Sequence, residues 1–336
     1  MSRSTVLRNE RVELVRKLEF ESTLLRVHRP ALLLDTDFVH SRVEDATSAG
    51  IFLDRRASAG VKGGDTMEAC KKILAAFALV STLVAANAFS PDTWTPGSAW
   101  TLVWADEFSG TSVDPNNWTY DVGGGGWGNN ELETYTSSPA NAYVQNGELV
   151  IKTIKSRGKY TSARLKTQGL HAWQYGKVAA RIRLPYGQGI WPAFWMLGDN
   201  ITTVGWPKCG EIDIMEMIGG GENRDDTIYG TIHWDENGNH ASVGTGPREL
   251  ADPQFFYQDY HVFEIEWNGT TIIWRLDSVE YGRASVDTTL FPNREEFHRP
   301  FFILLNMAVG GNWPGNPNHQ TVFPQYMYVD WVRVYQ

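Results

Sequence analysis

The sequence predicts an all-β sandwich of two antiparallel sheets running from residue 95 to the end. Three observations predict it. Apolar residues after residue 100 recur with a period of two, as in strands with one buried face. Clusters at Gly123–Gly126, Pro185–Gly189, Gly219–Gly221, Gly310-Gly311 and Pro314–Pro317 cut those runs into short pieces. No long helical pattern interrupts them, and no repeat or linker splits residues 95–336. Many short strands bounded by turns favour a two-sheet sandwich.

The elements follow in chain order. Leu149–Thr153 is an aliphatic run. In Lys177–Leu184, Val178, Ala180, Ile182 and Leu184 share one face, and Lys177, Ala179, Arg181 and Arg183 share the other. In Trp191–Leu197, Phe194 and Met196 face the core, while Trp191 and Trp195 share the opposite face. Val262–Trp267, Thr271–Leu276 and Phe301–Val309 are further runs rich in aliphatic or aromatic residues. In the last run, Tyr328, Asp330, Val332 and Val334 alternate with Val329, Trp331, Arg333 and Tyr335.

Composition narrows the function. The chain has 336 residues, 42% of them hydrophobic, and a net charge of −9. It can build a core, and its acidic balance argues against a nucleic-acid partner, which needs a basic face. Two cysteines, Cys70 and Cys209, rule out a disulfide scaffold or a cysteine-rich zinc module. Cys209 reads as a small buried apolar residue rather than a reactive thiol.

The chain is not uniform. Residues 1–66 hold 11 basic and 10 acidic residues and no Trp. Residues 89–336 hold 17 basic and 28 acidic residues, a net charge of −11, and all 14 Trp. About half of these tryptophans are expected in the core. The excess suggests a surface where flat apolar faces, such as sugar rings, stack.

Between these parts, Met67-Glu-Ala-Cys-Lys-Lys precedes an apolar stretch from Ile73 to Ala86 and a small-x-small end, Ala86-Asn87-Ala88. That order is the pattern of a secretory signal. The stretch is short for a membrane span. Residues 67–88 are therefore expected to be a signal peptide and the protein to be secreted, with no membrane partner after cleavage. Residues 1–66 are expected to be an upstream extension, disordered or partly helical. If translation starts at Met1, an uncleaved membrane anchor is the alternative.

The sharpest motif is Gly210-Glu211-Ile212-Asp213-Ile214-Met215-Glu216. On a strand, Glu211 and Asp213 share a face, with Ile212 and Ile214 opposite. Strict alternation would put Met215 on the acidic face. Glu216 joins the other two acids only if a β-bulge adds one residue near Ile214-Met215. Retaining hydrolysis of a glycosidic bond needs two carboxyls about 5–5.5 Å apart, one as nucleophile and one as acid/base. A third acid can hydrogen-bond the nucleophile and raise its partner's pKa. A solvent-facing acidic strand and a calcium site are the other uses of such a cluster. Trp191 and Trp195 read equally as stacking platforms or as an aromatic core strand.

With these motifs stand Gly125-Gly126-Trp127-Gly128-Asn129-Asn130-Glu131, Tyr160–Arg164, Pro185–Trp195, Gly230–Trp234, Leu305–Pro314 and Val329–Tyr335. Together they resemble glycoside hydrolase family 16 and, within it, the laminarinases, over about residues 100–335. The resemblance implies a concanavalin A-like β-jelly roll with a concave cleft. It implies a monomeric endo-β-1,3-glucanase acting on laminarin-like glucan, with no cofactor needed for the chemistry. Glu211 is then the nucleophile, Glu216 the acid/base and Asp213 the assisting acid. The spacing Glu-x-Asp-x-x-Glu is similar to that of laminarinases. His233 is implied near the acid/base, with a satisfied strand histidine as the alternative. Asn130, Arg164, Trp191, Trp195, Asn306 and Trp313 are implied sugar contacts, although Arg164 also suits a structural ion pair. A structural calcium on the convex side would take Glu107, Gly147 and Asp330. Where many relatives have Glu, this chain has Ala179. The alternatives are another endo-glycosidase of the family, on mixed-linkage glucan, agar or carrageenan, and a non-catalytic glucan-recognition protein.

Overall fold

The computed structural model describes residues 93–221 and 224–336. The expected extension at 1–66 and signal peptide at 67–88 lie outside the described residues. The described strands are β1 Leu102–Asp106, β2 Thr119–Asp121, β3 Glu133–Tyr135, β4 Ala142–Gln145, β5 Glu148–Ser156 and β6 Lys159–Ser162. Next come β7 Arg164–Lys166, β8 Gly176–Arg183, β9 Ile190–Gly198, β10 Glu211–Glu216, β11 Thr227–Glu236 and β12 Asn239–Gly244. The chain ends with β13 Arg248–Glu249, β14 His261–Trp267, β15 Thr271–Leu276, β16 Val279–Ser285, β17 Phe301–Val309 and β18 Gln325–Tyr335. A short helix, Ile201–Val204, and a 3-10 turn, Glu295–His298, sit in connections.

Two sheets form, as expected. One runs β16-β15-β14-β8-β18-β5-β6-β3, with β1 also on β18 and β4 on β5. The other runs β12-β11-β10-β9-β17-β7-β2, with β13 on β11. Pairing is antiparallel apart from β3 with β6. The arrangement is a two-sheet β-jelly roll.

The core lies between the sheets. Val178, Ala180 and Ile182 of β8 meet Phe194 and Met196 of β9, Ile212 and Ile214 of β10, and Ile303 and Leu305 of β17. The alternation read from β8 and β9 holds. One element departs from it. In β18, both Val329 and Val332 face the core, with Asp330 and Trp331 turned out. The register against β8 shifts between Val329 and Trp331. There β18 also changes neighbours, pairing with β5 through Val329 and with β1 from Val332. The bulge at this handover breaks the period of two, so Tyr328 and Asp330 do not share a face with Val332 and Val334.

The outer face of the first sheet is partly covered. Trp94 packs on Trp331 and Tyr335 over the buried Ala179 and Val262. Cys209 is fully buried beside Leu197, Phe302 and Leu304, and burial pushes its thiol up to about 12. It is an inert packing residue.

Candidate active site

The outer face of the second sheet carries a cleft of about 630 Å³. Its floor is built by register. Residues directly opposite one another on neighbouring strands point to the same side of a sheet. Glu211 stands opposite His233 and Leu197, Asp213 opposite Thr231 and Trp195, and Glu216 opposite Tyr229 and Ala193. Ala193 stands opposite Asn306, and Asn306 opposite Arg164. One row across four strands thus joins Glu216 to Arg164.

The expected bulge is present. Between Asp213 and Glu216, β10 advances three residues while β11 retreats two, from Thr231 to Tyr229. Against β9 the shift falls between Asp213 and Met215. Ile212, Ile214 and Met215 are buried on the core side, and all three acids line the cleft.

A bulge breaks the ladder and leaves backbone groups to be satisfied elsewhere. Here the opposite sheet supplies the donors. Trp274 Nε1 donates to the Asp213 carbonyl at 2.7 Å, and the Tyr281 hydroxyl donates to the Ile214 carbonyl at 3.4 Å. Gly230 makes room for this: a Cβ there would lie 2.4 Å from Trp274 Cδ1.

Each acid has its own surroundings. Glu211 Oε2 accepts from Trp206 Nε1 at 2.8 Å, and its Oε1 is 3.9 Å from His233 Nε2. Asp213 Oδ2 is 3.0 Å from the same Nε2. Glu216 Oε1 accepts from Trp191 Nε1 at 3.0 Å. Burial, with Asp213 adding, pushes Glu211 up to about 8, while His233 and the Trp206 N–H act in the opposite sense. Burial also pushes Asp213 up to about 8. Glu216 is held well above the usual carboxylate range by burial and by both other acids. Three close carboxyls cannot all ionise in one desolvated cluster, so the cluster retains a proton.

The other expected residues distribute unevenly. Trp191, Trp195 and Trp313 line the cleft, with Trp313 edge-on to Trp191 at 5.7 Å. Arg164 fills both readings: it lines the cleft, pairs with Asp121 at 2.9 Å, and lies between the rings of Trp127 and Trp195. Asn306 reaches the cleft but is largely buried, accepting from Trp195 Nε1 and donating to the Tyr135 hydroxyl. Asn130 lies between the cleft-lining Asn129 and Glu131. Its backbone is left-handed, with φ 58°, and its side chain donates to Asn312 Oδ1, clipping the loop to the segment after β17. His233 stands at the Glu211 end of the floor, with Tyr229 opposite Glu216.

The residues expected to hold calcium do not fit it. Glu107 is bidentate to Arg333 at 2.7 and 2.8 Å, and Asp330 pairs with Arg181 at 2.9 Å. Gly147 lies in the turn between β4 and β5. Calcium takes six to eight oxygens, and both carboxylates here are committed to guanidinium groups.

Trp206 and His240 line the cleft without any motif to mark them, and Trp127, Glu131 and Thr231 line it from motifs in which they had no role assigned. The His240 position was recoverable. Asn237-Gly238 is a hairpin signal, and the resulting register sets His240 opposite Asp235, on the face of His233. Trp206 lies in an irregular loop with no period to place it.

Glycosyl hydrolases family 16 matches residues 129–333 of this chain. The chain is 40% identical over 270 residues to the beta-glucanase of Rhodothermus marinus, covering 77% of this chain and 93% of that one. It is 42% identical over 244 residues to the clotting factor G alpha subunit of Tachypleus tridentatus, covering 70% of this chain but only 34% of that protein's length. Among solved structures, the catalytic domain of an endo-1,3-beta-glucanase (laminarinase) from Thermotoga petrophila RKU-1 superposes with a TM-score of 0.63 and 44% identity, covering 70% of this chain and 98% of that domain. With its bulged acid strand on the cleft floor and this match across the sandwich, the chain belongs to glycosyl hydrolases family 16.

Proposed function

We propose that this protein is an endo-acting β-1,3-glucanase that hydrolyses laminarin-like glucan with retention, in two displacements. The observation that carries the reading is the bulge in β10, which sets Glu216 on the cleft face beside Glu211 and Asp213. Relatives of 40–44% identity named beta-glucanase and laminarinase support the substrate class.

The environments of the acids support separate roles. Glu211 takes an N–H from Trp206 and faces His233, both of which favour its anion. It attacks the anomeric carbon. Glu216, whose proton is favoured by burial and by both other acids, protonates the departing glycosidic oxygen. A covalent glycosyl-enzyme results. Glu216, now an anion, then takes a proton from water as that water displaces Glu211. Asp213 stays between them and is tied to His233. Trp127, Trp191, Trp195, Trp206 and Trp313 offer apolar faces to successive rings along the cleft. The chemistry drawn here uses the chain's own groups. One copy builds the whole cleft, which favours a monomer as the acting unit. The pattern at residues 67–88 supports export.

Reducing-end release by the full chain on laminarin, beside lichenan and agarose, tests the reading. Release from laminarin with oligosaccharide products supports it. Release from another glycan alone moves the substrate. Binding without release from any of them makes the protein a recognition module and overturns the reading.

A further inference from the structure

We propose that the Glu211 end of the cleft floor is also a binding site for a divalent transition-metal ion of the zinc type. Its ligands are His233 Nε2, Asp213 Oδ2 and Glu211 Oε1. Among the described residues these three side chains form one group, with the ligand atoms all within 4.8 Å of one another. One imidazole and two carboxylates, with a side open to solvent, are nitrogen and oxygen ligands of the kinds that zinc takes.

The spacing suits that ion. His233 Nε2 is 3.0 Å from Asp213 Oδ2 and 3.9 Å from Glu211 Oε1. A tetrahedral centre with bonds of about 2.0–2.1 Å separates its ligand atoms by about 3.3 Å. The two distances from the imidazole bracket that separation. Asp213 is only 2% exposed. Its Oδ2 is buried without a hydrogen-bond donor aligned on it, close as the imidazole is. That oxygen lies at the cleft floor, 3.0 Å from the imidazole.

The surroundings orient the ligands. His240 Nε2 is 2.8 Å from His233 Nδ1. When a metal displaces the Nε2 proton, His240 can accept from Nδ1 and so hold the tautomer that offers the Nε2 lone pair. Trp206 holds the other oxygen of Glu211. Calcium and magnesium are disfavoured, because they require more oxygens and no imidazole.

The site takes the carboxylate that the glucanase reading uses as nucleophile. Resting on that reading, bound metal and turnover exclude each other, and zinc inhibits competitively with glucan.

Calorimetric titration of the full chain with ZnCl2, CaCl2 and MgCl2 at pH 7 in a non-chelating buffer tests the site. The comparison is with His233→Gln and Glu211→Gln, each checked for folding by circular dichroism. The expected result is one zinc equivalent in the wild type that weakens by about tenfold or more in either variant. Calcium and magnesium show no such difference. Anomalous density at the zinc edge between Glu211, Asp213 and His233 supports the assignment. Equal zinc binding in all three proteins, or an anomalous peak only elsewhere, overturns it. Because laminarin hydrolysis is measured separately, failure of the glucanase reading leaves the binding result standing.

Discussion

The three acids of β10 differ in what touches them, and single substitutions separate their roles. Glu211→Gln keeps the Trp206 hydrogen bond and removes the charge. It should lower kcat by about 10³-fold or more while laminarin still binds, measured by reducing-end release and affinity electrophoresis. The same variant reports on stability. A carboxyl whose folded pKa lies above its unfolded value stabilises the fold below about pH 4.5. That contribution is lost as pH rises toward about 8. Glu211→Gln should therefore melt close to the wild type at pH 5. At pH 8 it should melt clearly higher, with a gain of up to about 4 kcal/mol. Equal melting at both pH values would show that Glu211 titrates normally. Trp206→Phe keeps a ring in the cleft and removes the N–H to Glu211. Its expected effect is a fall of about tenfold in kcat with little change in KM, read from steady-state kinetics.

At the scale of the element, the bulge is the decisive feature, and its support comes from the other sheet. Trp274 and Tyr281 answer the carbonyls that β10 turns out of its ladder. Trp274→Phe leaves the Asp213 carbonyl buried without a donor, at a cost of about 1–3 kcal/mol. The expected outcome is a lower Tm together with a lower kcat, although residue 274 never meets substrate. A variant with lowered Tm and full kcat would show that Trp274 supports the core and not the acid geometry. The need for the bulge was legible in sequence, because Glu216 falls out of phase with Glu211 and Asp213 under strict alternation. The bulge in β18 was not legible. Tyr328–Tyr335 reads as a regular alternation, and only the handover of β18 from β5 to β1 breaks it.

Across the whole molecule, the two outer faces have different tasks. One carries the cleft; the other is partly sealed by Trp94 and its neighbours. Trp94 Nε1 donates to Glu264 at 2.8 Å, and Lys177 reaches both Glu264 and the Pro96 carbonyl. Trp94→Ala uncovers this buried charged cluster. It should cost about 3–5 kcal/mol while leaving kcat on laminarin unchanged. A matching fall in kcat would mean that the two faces are coupled through the core. The tryptophans divide between these tasks: six of fourteen are buried, and five line the cleft.

By itself, the sequence determined the two-sheet class, the core faces of β8 and β9, the acid strand and its bulge. These follow from a period of two, which is local and readable within one strand. Tertiary structure decided which distant groups meet those acids. Trp206 comes from an irregular loop, His240 from the next hairpin strand, and Trp274 from the opposite sheet, far from Asp213 in sequence. It also decided that Glu107 and Asp330 pair with Arg333 and Arg181, and that Asn130 clips a loop. A side chain's partner is set by which strands lie side by side. That choice is made by burial of the whole sandwich, and no local pattern carries it.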